Sequence, residues 1–147
     1  DARAVCEWAA RRWHVRELWL AGFSFGAFVA TRLAAEGRTN SPIGQLITVA
    51  PPVRYFADPG WRAPRCPWLI VQGDQDELVD VNEVRTWLAG VESPPRLIVL
   101  AGVDHFFHGR LHELRDTLTD TLRSQLAGQG PGAAGAAPGG NPVSDSP

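Results

Sequence analysis

The chain has 147 residues, of which 44% are hydrophobic and 20% are charged, and this composition is ordinary for a globular domain. Its formal net charge of −2 excludes the strongly basic surface that is typical of proteins binding nucleic acid or anionic membranes. No apolar run approaches the roughly 18 residues of a membrane-spanning helix. Cys6 and Cys66 lack the spacing of a metal or redox site, so the cytoplasm is the default location.

Four short apolar runs predict strands, and helical patterns lie between or around them. The predicted strands are Leu18–Ala21, Leu46–Val49, Leu69–Gln72 and Leu97–Leu100, and the predicted helices cover 2–14, 26–36, 82–90 and 109–126. Strands that alternate with helices favour a parallel sheet with helices on both faces. The sequence therefore predicts an α/β fold.

The first predicted strand leads into a G-x-S-x-G motif, Gly22-Phe23-Ser24-Phe25-Gly26, and a predicted helix follows directly. Between a strand and a helix, this motif lifts the serine hydroxyl above the sheet edge, near the outward-pointing N–H groups of the helix N-terminus. Such a turn strains the serine backbone, and we expect that only glycine fits at positions 22 and 26. Taken alone, the motif is also compatible with an ordinary glycine-containing turn, so it needs chemical partners.

Two ionisable residues follow later predicted strands. Asp76 comes just after the third strand, and His105 comes just after the fourth. Because ligands bind at the carboxyl ends of the strands in open α/β sheets, we expect both side chains near Ser24. Asp74 and Asp104 are alternative acids. However, an aspartate in the position of Asp74 more often shapes its turn, and Asp104 adjoins His105 in a way that seldom orients an imidazole, so Asp76 is preferred.

Together these motifs resemble those of the α/β-hydrolase superfamily, and within it the small bacterial hydrolases similar to dienelactone hydrolase. The resemblance covers residues 1–126 and rests on the segments 22–26, 73–79 and 102–107. It implies a doubly wound, mostly parallel sheet of the α/β-hydrolase fold. The order serine, acid, histidine along the chain is also the one expected of this superfamily.

By the same resemblance, Ser24 matches the nucleophile, Asp76 the triad acid and His105 the general base. The implied activity is that of a serine hydrolase, which cleaves an ester, thioester or related acyl bond through an acyl-serine intermediate. The expected partner is a small-molecule acyl substrate, and no cofactor is expected. The alternative is a non-catalytic binding or scaffolding module of the same fold, which would have no reason to keep all three residues in this order.

The resemblance further implies two backbone donors for the developing oxyanion. One is the N–H of Phe25, the residue after the nucleophile, and the second normally comes from the loop after the third strand of the complete fold. Too few residues precede Ser24 to form that loop. We therefore expect an N-terminally incomplete domain, with about four strands from the C-terminal half of the fold.

Aromatic residues lie close in sequence to the predicted site. Either they line an acyl pocket or they pack beneath the turn, and packing is the simpler interpretation because aromatic side chains dominate protein cores. Those near the motifs are Phe23, Phe25, Phe28, Phe106 and Phe107. If substrate is contacted by side chains of this part of the chain, Phe23, Tyr55 and Phe106 are the candidates.

Two further features have simpler interpretations. His108 and His112 are one helical turn apart, but the apolar pattern of the predicted last helix makes them capping or flanking residues, and no metal site is expected. Residues 127–147 are rich in glycine, alanine and proline. Because that segment cannot bury enough apolar surface to offset its ordering entropy, it is predicted to be a disordered tail.

An incomplete sheet has a consequence that can be tested. The strand before Ser24 would expose an apolar edge, which favours association with other chains. We expect residues 1–147 produced alone to be marginally stable and to lack hydrolase activity. Esterase assays of the isolated chain and of its Ser24→Ala variant test this expectation. Activity that disappears in the variant would contradict it.

Overall fold

The computed structural model describes residues 2–56 and 60–128 of the chain. The chain divides into two compact units, Asp1–Arg110 and Leu111–Pro147. The sheet lies in the first unit, and the described part of the second unit is a single helix. Of the predicted tail over 127–147, positions 127 and 128 are the last two residues of that helix, and the remainder lies outside the described residues.

Four strands form one parallel sheet in the order in which they occur along the chain. They are β1 (Leu18–Phe23), β2 (Ile43–Val49), β3 (Trp68–Gly73) and β4 (Arg96–Leu100). The register pairs Phe23 with Val49, Val49 with Val71, and Gly73 with Leu100. All four carboxyl ends therefore meet at one edge, and the predicted α/β class with a parallel sheet is confirmed.

Helices alternate with the strands along the chain, close to the predicted positions. They are α1 (Ala2–Trp13), α2 (Phe25–Glu36) and α3 (Val81–Ala89) in the first unit and α4 (Leu111–Gly128) in the second, with an unpredicted 3₁₀ helix at Val53–Phe56. Asp80 caps α3, because its carboxylate accepts a hydrogen bond of 2.8 Å from the Asn82 N–H. The largest difference is the start of β2 at Ile43, three residues before the predicted start, because pairing with β1 extends the strand.

One hydrophobic core joins α2, the 3₁₀ helix and α3 to the same face of the sheet. Its buried members include Leu46 of β2, Ile70 of β3, Phe56 of the 3₁₀ helix and Val84 of α3. β3 is buried along its whole length, as expected for a central strand of a parallel sheet. This packing fixes the strand ends that carry the candidate site.

β1 lies at one edge of the described sheet, and two of its large apolar side chains are exposed. Trp19 and Phe23, which alternate with half-buried residues on this strand, are 42% and 43% exposed. On α1 the rings of Trp8 and Trp13 are also exposed and contact each other edge to face. Within the described residues, β1 and α1 thus each leave aromatic side chains uncovered.

None of the helices within residues 2–56 and 60–128 has both the length and the apolar character needed to cross a membrane.

Both cysteines are free and partly buried. Burial raises the pKa of the Cys6 thiol and that of the Cys66 thiol above the usual value, so both favour the protonated form.

Candidate active site

Ser24 occupies a sharp turn between β1 and α2. Its φ angle is 50°, a conformation that residues other than glycine rarely adopt, so the predicted backbone strain is present. Ser24 stands at the N-cap position of α2 but makes no side-chain capping hydrogen bond. Its hydroxyl lies 3.0 Å from Nε2 of His105 instead. The Ser24 hydroxyl therefore contacts an imidazole and does not cap the helix.

The two glycines of the motif differ in what their surroundings demand. A Cβ on Gly22 would overlap the backbone carbonyl of Gly26, so the path of the chain requires glycine at position 22. A Cβ on Gly26 would meet nothing within 4 Å among the described residues. The expectation that sterics require glycine at both positions is therefore correct for Gly22 and wrong for Gly26.

Asp76 lies in the turn that follows β3, with its side chain fully buried. Its Oδ1 accepts hydrogen bonds from the N–H groups of Leu78 at 2.9 Å and of Val79 at 2.7 Å. Such bonds from backbone donors on the same turn anchor one oxygen of the carboxylate. The second oxygen, Oδ2, is left to side-chain partners.

His105 joins Asp76 to Ser24. Its ring is 2% exposed, and Nδ1 lies 2.8 Å and 3.0 Å from the two carboxylate oxygens of Asp76. Because a carboxylate only accepts, we assign the ring proton to Nδ1, which leaves Nε2 as an acceptor for the Ser24 hydroxyl. The structure thus brings together the three residues selected from the sequence, although Ser24 and His105 are separated by 81 positions.

The turn after β3 and the loop after β4 are also tied together outside this series of three side chains. Asp74 accepts a hydrogen bond of 2.6 Å from the Gly102 N–H, and Glu77 accepts one of 3.3 Å from the His105 N–H. Between the backbones, the Gln75 N–H donates to the Val103 carbonyl at 3.1 Å. Glu77 is an exposed residue of the turn, and its carboxylate also reaches the neighbouring loop.

The alternative acid Asp104 has a different partner. Its carboxylate accepts from the His108 N–H at 3.0 Å and lies 2.8 Å from Nδ1 of the same histidine. These hydrogen bonds, led by the one from the backbone N–H, hold the pKa of Asp104 below its usual value. Asp104 therefore stabilises the loop that carries His105, whereas Asp76 contacts the His105 ring.

The aromatic residues near the site separate into two groups. Phe28 packs against the core and Phe107 is 1% exposed, as the packing interpretation predicts. By contrast Phe23, Phe25 and Phe106 are 43%, 64% and 53% exposed. The packing interpretation is therefore wrong for these three.

The exposed rings belong to two groups of contacting aromatic side chains. Phe23 and Phe106 contact the His105 ring, with centroids 5.2 Å and 5.0 Å from that of the imidazole, and their own centroids are 6.3 Å apart. In the second group, Tyr55 is 49% exposed, and Phe28 connects its ring to that of Phe25, the residue after Ser24. An apolar molecule bound beside His105 would therefore meet exposed aromatic surface.

The predicted oxyanion donor and one residue that sequence reasoning missed complete the description of the site. Phe25 is the first residue of α2, and the first N–H groups of a helix have no acceptor within it. Gln72 is fully buried and donates a 2.8 Å hydrogen bond to Oδ2 of Asp76. A glutamine in the otherwise apolar run Trp68-Leu69-Ile70-Val71-Gln72 was the available signal.

Comparison with known proteins finds hydrolases of similar sequence and fold. No model of a known protein family matches the sequence. An α/β serine hydrolase homologue from Coxiella burnetii is 43% identical, and the match covers 83% of this chain and 57% of that one with a TM-score of 0.76. A Xanthomonas campestris protein, described as an α/β serine hydrolase without a lid, is 40% identical; the match covers 85% of this chain and 55% of that one, with a TM-score of 0.74.

Among curated proteins, an uncharacterised protein of Rickettsia prowazekii (strain Madrid E) is 28% identical over 129 residues. That match covers 82% of this chain and 53% of the relative. The chain therefore spans just over half the length of each of these three relatives.

The contrast between the two motif glycines can be tested by substitution in the full-length protein. Gly22→Ala introduces an overlap with backbone and should lower the free energy of unfolding by about 1–3 kcal/mol. Gly26→Ala is the matched control, and it should leave that free energy unchanged or raise it by up to about 1 kcal/mol, because alanine favours helices. Urea denaturation followed by circular dichroism measures both. Equal losses would contradict the distinction.

Proposed function

Because this chain belongs to the α/β-hydrolase superfamily, we propose that the protein is a serine hydrolase that cleaves an ester, thioester or related acyl bond. The observation that carries this proposal is the continuous series of hydrogen bonds from the Ser24 hydroxyl through His105 to Asp76. The identities of 43% to an α/β serine hydrolase homologue and of 40% to an α/β serine hydrolase support it. In this proposal the turn around Ser24 is a nucleophile elbow.

The first half of the reaction forms an acyl-serine. A serine hydroxyl is a weak nucleophile until a base takes its proton, and Nε2 of His105 accepts that proton as Oγ of Ser24 attacks the carbonyl carbon. The tetrahedral intermediate then collapses, and the imidazolium returns the proton to the leaving group. Water attacks the acyl-serine with His105 again acting as base, which releases the acid and restores the Ser24 hydroxyl.

Asp76 and Phe25 act on the charges that develop during these steps. Asp76 holds Nδ1 of the imidazole in the proton-bearing form and stabilises the imidazolium that forms when Ser24 attacks. The N–H of Phe25 donates to the oxyanion, and an oxyanion donor is typically worth about 100- to 1,000-fold in rate. By resemblance to the superfamily, a second donor comes from a loop that precedes β1.

A fluorophosphonate probe tests the central claim directly. This probe reacts with an activated serine, so the full-length protein should be labelled at Ser24, and the Ser24→Ala variant should not be labelled. Thr31→Ala serves as a control, because the Thr31 hydroxyl is buried on α2 and bonded to the Ala27 carbonyl. Folded protein that resists labelling would instead favour the non-catalytic binding module.

The exposed aromatic rings suggest an apolar acyl group as the part of the substrate that binds beside Ser24. Phe23 and Phe106 lie against His105 and are about half exposed, so an acyl chain can cover them without displacing core side chains. The Xanthomonas relative is described as lacking a lid. We infer a similarly open cleft, in which these rings rather than a covering segment recognise the chain.

Acyl-chain preference tests the role of these rings. Phe106→Ala should lower kcat/KM for p-nitrophenyl octanoate about 5- to 30-fold more than for the acetate ester, because about 1–2 kcal/mol of apolar contact is lost. Trp13→Ala is the control, since Trp13 is 60% exposed, against 53% for Phe106, but lies on α1. The ratio of the two kcat/KM values cancels any general effect on His105. An unchanged ratio in Phe106→Ala would contradict the assignment.

A further inference from the structure

Gln72 is a polar residue in a place that favours apolar ones. It is the fifth residue of β3, a strand that is buried along its whole length, and Gln72 itself is fully buried. Burying an amide away from water is unfavourable unless hydrogen bonds replace those to water. The contacts made by Gln72 therefore indicate why this position is polar.

The amide nitrogen of Gln72 faces three acceptors. They are Oδ2 of Asp76 at 2.8 Å, the Val79 carbonyl at 3.0 Å and the Gly73 carbonyl at 3.3 Å. Nε2 carries two hydrogens, which suit the two nearer acceptors. Rotating the amide by half a turn would bring Oε1 against three oxygen acceptors, so chemistry determines its orientation.

These contacts link both ends of the turn that carries Asp76. Gln72 lies in β3 just before the turn, and Val79 lies at its end. The side chain of Gln72 bridges from one to the other while it donates to the carboxylate between them. The Oδ2 atom that accepts from Gln72 is also the atom that lies 2.8 Å from Nδ1 of His105. Oε1 of Gln72 has no hydrogen-bond partner among the described residues. Unlike Nε2, this atom therefore contributes nothing that would compensate for its burial.

We propose that Gln72 is a positioning residue that holds the Asp76 carboxylate in the orientation required by His105. This inference rests on the proposed hydrolase function and extends it to a fourth side chain. Gln72 does not touch the reacting atoms and acts only through Asp76. Its removal should misplace the imidazole, and small displacements of catalytic groups can lower rates about 100-fold.

The titratable surroundings of Asp76 make a pH-dependent test possible. The His105 ring contacts the Asp76 carboxylate. Glu77 lies on the same turn as Asp76, and its carboxylate accepts a hydrogen bond from the His105 N–H. Asp74 is bonded to the Gly102 N–H on the adjoining loop, and farther along that loop Asp104 is paired with His108. An acid introduced at position 72 would therefore have Asp76 as its nearest ionisable neighbour.

The Gln72→Glu variant places two carboxyl groups within hydrogen-bond distance, and such a pair tends to share one proton. While the new group is protonated it can donate to Asp76 as Gln72 does. Once it ionises, it repels Asp76 and donates nothing. The rate of fluorophosphonate labelling relative to the parent protein should therefore fall at least about 10-fold as the pH rises from 6 to 9. A merely structural role would lower the relative rate equally at every pH.

A second variant measures the loss of the donor itself. Gln72→Leu keeps the approximate size of the side chain, and it should slow labelling of Ser24 about 10- to 100-fold at pH 8. Gln45→Leu is the matched control, because Gln45 is a buried glutamine of β2 whose amide donates to the Leu46 carbonyl. That control can lower stability but should leave the labelling rate within about twofold of the parent rate.

The outcomes separate the two proposals. A parent protein that is not labelled at Ser24 overturns the proposed hydrolase function. If the parent is labelled, a constant ratio of Gln72→Glu to parent between pH 6 and 9 overturns the positioning role of Gln72. Failure of Gln72→Glu to fold at pH 6, checked by circular dichroism, also overturns it, because a neutral carboxyl would then not replace the amide. A ratio that falls with pH, together with slow labelling of Gln72→Leu, supports the role.

Discussion

The buried contact between Asp76 and His105 is the interaction around which the site is organised. It joins the turn after β3 to the loop after β4, and it is available only because the two strands are parallel and adjacent, so that their carboxyl ends coincide. The two segments approach so closely that a Cβ on Gly73 would overlap the Val103 carbonyl. The backbone hydrogen bond between Gln75 and Val103 and the Asp74 carboxylate on Gly102 then lock the pair together.

Ser24 reaches this pair from the far edge of the sheet. Its backbone is held with φ at 50°, and such conformations cost about 1–3 kcal/mol unless the surroundings determine them. At Ser24, backbone hydrogen bonds determine this conformation. The Ser24 N–H donates to the Val49 carbonyl at 2.9 Å, and the first turn of α2 returns hydrogen bonds to the Ser24 carbonyl. The strain is therefore offset by backbone bonds on both sides, and it directs the hydroxyl towards His105.

At this edge of the sheet polar side chains are buried and apolar side chains are exposed, which is the reverse of their usual distribution in a globular protein. Asp76, His105 and Gln72 are withdrawn from water and hydrogen-bonded to one another and to backbone groups, whereas Phe23 and Phe106 remain at the surface beside them. A buried hydrogen-bonded network is costly unless its members are paired, but it holds its groups in fixed positions. In the hydrolase that we propose, this network holds the reactive groups in place and the exposed rings offer apolar contact to the substrate.

The sequence by itself determined the alternation of strands and helices, the parallel sheet, and the choice of Ser24, Asp76 and His105, because apolar periodicity and short motifs are local properties. Only the tertiary structure decided which neighbours these residues have. In the structure, Gly26 has room for a Cβ, and Phe106 is exposed. The Glu77 carboxylate accepts a hydrogen bond from the His105 N–H, and the Gln72 amide donates one to Asp76. The Glu77 contact joins positions that are 28 apart in the chain, and the Gln72 contact joins positions four apart across a turn. Both depend on the path of the backbone through the turn after β3 and on the loops packed against it, and no local apolar pattern encodes that path.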